Sequence, residues 1–219
     1  MARLLFTATS GGVSQGNFAT LNLGLHVGDD AACVNENRKR LGTLISSTEL
    51  VFMDQQHGNK VAVIETRDTT VQPVDALVTK EKNLGLVVQV ADCLPVLISG
   101  TDVVAALHVG RRGMENGLIA NTINIMRELS DSPLRARIGP GVCAECYEVD
   151  EETYSEISTK FPQANAGFRH LDIQGGSAAQ LRMLEVEVAL IKKCTKENQS
   201  YFSFRRNKVT GRQAGVISL

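Results

Sequence analysis

No run of 18 consecutive apolar residues occurs in this 219-residue sequence, so no segment reads as a membrane span. The opening Met1-Ala2-Arg3-Leu4-Leu5-Phe6-Thr7 holds too short an apolar stretch for a signal peptide, and the expected compartment is the cytoplasm. Net charge is nearly absent. Lys and Arg total 23 against 24 Asp and Glu, which argues against a nucleic-acid partner bound through a large basic surface. Repeats, low-complexity tracts and linkers are missing as well, so a single domain spanning residues 1–219 is expected. The five cysteines are odd in number and accompany no secretion signal, which favours reduced thiols over a disulfide framework.

What remains is an ordinary globular composition, 43% apolar and 21% charged with a mean hydropathy of -0.05. For its mass of 23.7 kDa, surface scaling predicts that about 70% of the unfolded chain's surface is buried on folding. Strands are expected over residues 3–7, 50–53, 60–64, 84–90, 94–98 and 103–109. The apolar runs among them read as strands covered on both faces. Helical spacing of apolar residues predicts helices over 114–129, 151–161 and 177–193. Asp30 is positioned to cap another that carries Val34, Leu41 and Ile45. Two closing strands, over 201–206 and 214–219, flank a turn at Thr210-Gly211. The mixture fits a layered α/β sandwich with mixed sheets better than strict βαβ alternation.

Three segments interrupt strong strand patterns with metal-competent side chains. His57 lies in Gln55-Gln56-His57-Gly58, Cys93 in Ala91-Asp92-Cys93-Leu94-Pro95, and His108 at the end of a strand before Val109-Gly110-Arg111-Arg112-Gly113. Strand ends that feed glycine loops hold side chains rigidly while leaving the backbone room for a ligand. Two imidazoles and one thiolate suit Zn²⁺, with copper as competitor, and three protein ligands with an open position mark a catalytic metal. The spacing belongs to no short metal motif, so a buried cysteine beside two hydrogen-bonded loop histidines stands as the alternative. Cys143-Ala144-Glu145-Cys146 has CxxC spacing, but no second CxxC or nearby histidine pair completes a zinc site. Its flanks suggest a turn entering a strand, and the expectation is two ordinary thiols.

Several strings occur together in order: Gly11-Gly12-Val13-Ser14, Leu21-Asn22-Leu23-Gly24, Gln55-Gln56-His57-Gly58, Asp75-Ala76-Leu77-Val78-Thr79, Ala91-Asp92-Cys93-Leu94-Pro95, His108-Val109-Gly110-Arg111-Arg112-Gly113 and Thr210-Gly211-Arg212. Over nearly the whole chain they resemble the YfiH-type laccase-domain family, whose members are also called polyphenol oxidoreductases and purine nucleoside phosphorylases. The resemblance implies a single α/β/α-layered domain with mixed sheets and a zinc or copper ion on His57, Cys93 and His108. It also implies phosphorolysis of adenosine, inosine and methylthioadenosine, adenosine deamination, or copper-dependent phenol oxidation, with purine nucleoside and phosphate as small-molecule partners. The family fold further resembles the catalytic domain of cytotoxic necrotizing toxins, where a cysteine–histidine pair deamidates glutamine.

The leading expectation is metal-dependent purine nucleoside chemistry, with His57, Cys93 and His108 as catalytic and metal-binding residues. Arg112 is the candidate for phosphate, because its guanidinium is planar, permanently charged and bidentate. Arg111 and His26 are further substrate-binding candidates. Asp92 and Gln55 are placed behind the ligands, to orient them. The sequence departs from the family pattern where Thr9 replaces an arginine and Arg111 replaces a tryptophan. Those departures suit the third-ranked expectation, a binding protein with degraded activity. The second-ranked is a metal-free cysteine hydrolase or deamidase with Cys93 as nucleophile and His108 as base, which would not require His57. Copper oxidase chemistry ranks last, since one three-ligand site and four histidines cannot supply a laccase's several copper centres.

Overall fold

Strand pairing divides the chain between two mixed sheets. The computed structural model describes residues 2–45, 49–66 and 72–219. The first sheet orders β1 (Arg3–Phe6), β10 (Gln213–Ser218), β5 (Leu84–Val90) and β2 (Glu49–Phe52), with β2 parallel to β5 and the other pairs antiparallel. The second orders β3 (Val61–Val63), β4 (Ala76–Thr79), β7 (Val104–Val109), β6 (Leu94–Ser99), β8 (Arg135–Ile138) and β9 (Glu187–Leu190). Edge pairs β3–β4 and β8–β9 are parallel.

The burial pattern gives the layering. In β5, Leu86, Val88 and Val90 meet Leu97 of β6 and Val104 and Ala106 of β7, forming a core between the sheets. Val87 points the other way, onto Leu41 and Ile45 of α1 (Ala31–Ile45). Ala105, Leu107 and Val109 of β7 face away from the first sheet, onto Leu118, Ile119 and Ile123 of α3 (Leu118–Leu129) and Leu181 of α5 (Ile173–Met183). Alternation of period two thus sorts each strand's residues to opposite faces, and helices cover both outer surfaces. The expected α/β/α arrangement is present, its β layer built of two mixed sheets face to face. No helix among the described residues is long and apolar enough to cross a membrane.

Asp30 caps α1 as expected, its carboxylate accepting the Ala32 N–H at 2.7 Å. Four other expectations fail for physical reasons. The helix expected over 114–129 is two, α2 (Arg111–Glu115) and α3, because Gly117 sits at φ 87° between them. The helix expected over 177–193 ends at Met183, and Glu185 takes φ 57°. The following Val188 and Leu190 then join β9 instead of a helix face. Residues 201–206 form no strand. Ser203 accepts the Arg206 N–H and starts the short α6 (Phe204–Asn207). The CxxC segment forms a 3₁₀ turn, Ala144–Cys146, and leads to α4 (Glu151–Lys160), with only a single bridge, Glu148 to His170, between.

Candidate metal centre

Register and alternation place the site before any side-chain contact is considered. His108 shares strand parity with Ala106, so its ring points into the space between the sheets, where it is buried. Asp75, one residue before β4, shares parity with Leu77 and enters the same space. Ala76 pairs with Leu107, so the next position along sets Asp75 beside His108. Backbone and side chain both record it, as the His108 N–H donates to the Asp75 carbonyl at 2.8 Å and Nδ1 lies 2.8 Å from Asp75 Oδ1. Cys93 sits where the chain leaves β5 in one sheet to start β6 in the other, a crossing made at Ala91-Asp92-Cys93.

His57 comes from the loop between β2 and β3, at φ 58°. That left-handed backbone lets the N–H groups of Gln56, His57 and Gly58 converge on the Asp75 carboxylate at 3.1, 2.9 and 2.6 Å. Asp75 thereby fixes both histidines, one through its ring and the other through its main chain. The His57 and His108 rings meet edge to face with centroids 4.6 Å apart, and His57 Nε2 lies 3.7 Å from Cys93 Sγ. Ligand atoms of His57, Cys93 and His108 all fall within 4.8 Å of one another. Tetrahedral zinc needs about 3.5 Å between sulfur and nitrogen ligands, so the donors fit such an ion with little movement. With Nδ1 held by Asp75, His108 offers Nε2, the carboxylate–histidine–metal arrangement. Gly110 keeps the approach open, since a Cβ there would lie 3.0 Å from Cys93 Sγ and 3.3 Å from His57 Cδ2.

Charges couple within this cluster. Burial would raise the Cys93 thiol, but the imidazoles of His108 and His57 bring it down to about 6. Burial would likewise lower His108, but the Cys93 thiolate and Asp75 carboxylate push it up to about 9. For Asp75, the His108 ring and the loop N–H groups overcome burial and hold the carboxyl below its usual range.

The cluster lines a cavity of about 620 Å³, within the range of small-molecule sites. Its walls include apolar Met53, Val142 and Phe204, and cationic Arg111, Arg205 and Arg212. Main chain and aromatic contacts fix two of the arginines. Arg205 stacks over Tyr147 at 4.2 Å and donates to the Glu148 carbonyl, while Arg212 donates to the carbonyls of Thr210 and Gly211.

The other residues named from sequence distribute around this geometry. His26 lines the cavity, and burial together with Arg212 and Arg38 lowers its pKa. Gln55 also lines it and exchanges hydrogen bonds with the Gln89 backbone, bracing β5. Arg112 is exposed and is absent from the cavity wall. Asp92 is buried, but its carboxylate accepts from Thr195 Oγ1 and the Arg205 N–H, each at 2.7 Å, and so positions the Arg205 segment rather than a histidine. The orienting carboxylate is Asp75, which sequence reasoning passed over although it opens one of the recurring strings. Thr9, one of the two departures read from the sequence, is tied by main-chain bonds to Thr20, Leu21 and Ser200.

Comparison with known proteins agrees with this architecture. Residues 3–219 match the family model described as multi-copper polyphenol oxidoreductase laccase, and the chain belongs to that family. It is 43% identical over 231 residues to a purine nucleoside phosphorylase of Corynebacterium glutamicum, covering 99% of this chain and 94% of that one. The purine nucleoside phosphorylase YfiH of Escherichia coli is 36% identical, over 95% of this chain and 90% of its own. A crystal structure of a Neisseria meningitidis protein superposes with a TM-score of 0.90 at 31% identity, covering all of this chain and 94% of that one. YlmD of Geobacillus stearothermophilus gives 0.87 at 28%, covering 99% and 91%.

Proposed function

We propose that this chain is a zinc-dependent purine nucleoside phosphorylase acting on adenosine, inosine and methylthioadenosine, with adenosine deamination as a side reaction of the same centre. The observation that carries the reading is the convergence of His57, Cys93 and His108 on one point of an arginine-lined cavity. Relatives named as purine nucleoside phosphorylases support it. Zinc held there supplies Lewis acidity toward developing negative charge.

The chain's own residues account for the rest. Asp75 holds His108 and the His57 loop in place. Arg205 and Arg212, already fixed, and Arg111 present cations to phosphate, the role that sequence alone assigned to Arg112. Phe204 and Tyr147 offer aromatic surface to the purine. A phosphate oxygen then bonds the ribose C1′ as the C1′–N9 bond breaks, and the bond's electron pair leaves with the purine. The deciding assay incubates the protein with adenosine, with and without phosphate. Phosphate-dependent adenine and ribose 1-phosphate are expected, whereas inosine alone would make the protein a deaminase and overturn the phosphorylase reading.

One observation favours a second reading. Asp75, His108 and Cys93 follow one another as orienting carboxylate, base and thiol, the constellation of a cysteine hydrolase or deamidase. His57 separates the two readings. Its replacement by alanine abolishes a metal-dependent reaction and spares a thiol hydrolase. Copper-dependent phenol oxidation ranks below both, because one three-ligand site cannot supply the several copper centres of a laccase.

A further inference from the structure

Apart from the His57, Cys93 and His108 centre, the fold assembles a second group of metal-competent side chains, all of them thiols. Cys143, Cys146 and Cys194 place their Sγ atoms within 4.8 Å of one another, although Cys194 is remote in sequence from the other two. Two local turns and one bridge produce the arrangement. The first turn is the 3₁₀ segment Ala144–Cys146, in which side chains three residues apart eclipse, so Cys143 and Cys146 point the same way. The second is closed by the Asn198 N–H on the Cys194 carbonyl at 3.0 Å and brings Glu197 round beside Cys194. A parallel bridge between Gly141 and Cys194 sets the turns against each other, with the Thr195 N–H on the Gly141 carbonyl at 2.9 Å.

Glu197 Oε1 then lies 3.6 Å from Cys146 Sγ, and the Cys143 N–H points at Cys194 Sγ at 3.4 Å. In tetrahedral zinc coordination, sulfur ligands stand about 3.8 Å apart, and sulfur and oxygen ligands about 3.5 Å. The three sulfurs need only a small contraction to reach that geometry, and the Glu197 carboxylate, beside Cys146, reaches the shared point by rotation of its side chain. The spacing, Cys-x-x-Cys followed by Cys-x-x-Glu, is that of two turns gripping one ion.

We propose that Cys143, Cys146, Cys194 and Glu197 form a structural zinc site that fastens the segment carrying Val142 and Tyr147 to the segment ahead of Arg205. Three thiolates favour a thiophilic ion, and a carboxylate as fourth ligand selects Zn²⁺ over Cu⁺. Binding displaces three thiol protons to solvent, and Lys192, Lys193 and Lys196 flank the ligands in sequence, offsetting the negative charge that results. With four protein ligands the site is closed, so its role is mechanical. Arg206 extends the fastening, its Nη1 donating to the carbonyls of Thr195 and Lys196 beside the arginine that stacks on Tyr147.

The test uses the full chain purified under reducing conditions without added metal, with Cys93→Ala to empty the cavity centre. Elemental analysis is expected to find one zinc per chain in Cys93→Ala, and none once Cys146→Ser and Cys194→Ser are added. Cobalt exchanged into Cys93→Ala is expected to show intense thiolate-to-cobalt charge transfer with tetrahedral d–d bands. Should the serine variants fail to fold, Glu197→Gln keeps all three sulfurs, and it is expected to retain charge transfer, shift the d–d bands and weaken zinc affinity about 10-fold or more. Absence of zinc and of cobalt charge transfer in Cys93→Ala would overturn the proposal. So would copper in place of zinc, or a non-reducing mass lower by one disulfide.

Discussion

The two sulfur-bearing clusters use similar distances for opposite ends. His57, Cys93 and His108 stand at strand ends and in a loop clamped by Asp75, mix nitrogen with sulfur, and open into a cavity. Cys143, Cys146, Cys194 and Glu197 stand on two irregular turns and offer three sulfurs and a carboxylate, and Cys143 and Cys146 adjoin the wall residues Val142 and Tyr147 along the chain. An ion in the first would keep a vacant position facing substrate, and one in the second would not. The first borrows rigidity from the sheets, whereas the second supplies rigidity to turns that have little. On the proposed readings, chemistry and fastening would fall to separate sites linked through Val142, Tyr147 and Arg205.

That contrast breaks most readily at Cys93. Cys93→Ala is expected to remove the cavity metal and lower kcat/KM for phosphorolysis by about 10³-fold or more, while leaving one zinc in place. Elemental analysis beside steady-state kinetics checks both halves, and an active variant would remove Cys93 from the centre. Asp75→Asn comes next. It keeps the shape but weakens the hold on His108 and on the His57 loop, with a loss of about 10–100-fold in metal affinity or activity. Arg212→Ala is expected to raise KM for phosphate about 10-fold, equivalent to about 1.4 kcal/mol, with a smaller change in kcat. The same effect from Arg112→Ala instead would return the phosphate role to that residue.

A pH experiment sharpens the comparison without substrate. In metal-stripped protein the His108 and His57 imidazoles favour the Cys93 thiolate, whose population rises as pH climbs through about 6. Alkylation of Cys93 followed by mass spectrometry is therefore expected to reach half its maximal rate near pH 6, and His108→Asn to move the midpoint upward. A midpoint near the ordinary thiol value in the parent protein would contradict the coupling. The mildest perturbation is Gly110→Ala. The added methyl crowds Cys93 Sγ and His57, weakening metal binding while the thermal midpoint changes little.

Much of this was legible in the sequence where one local signal sufficed. The runs that become β5, β6 and β7 are apolar enough to be unmistakable, Asp30 caps its helix, and His57, Cys93 and His108 stand out as polar breaks at strand ends. What escaped depends on neighbours remote in sequence. Asp75 reads as a turn residue until the register of β4 on β7 sets it against His108. Residues 184–191 satisfy helical spacing and strand alternation equally, and the parallel edge of β8 decides between them. Neighbouring helical residues differ by about 100° around the axis, so Arg111 meets the cavity and Arg112 does not. Cys194 completes the second cluster only through its bridge to Gly141.

The crossing at Ala91-Asp92-Cys93 carries a consequence for engineering. Because the thiol hangs on the stitch between two stacked slabs, its position is a readout of how those slabs seat. Trimming Leu97, deep in the seam, is expected to cost about 2–5 kcal/mol of stability and also to misalign the donors. Transplanting this centre into another scaffold would mean carrying over both slabs and the seam itself, since a single loop or hairpin holds too few of its supports.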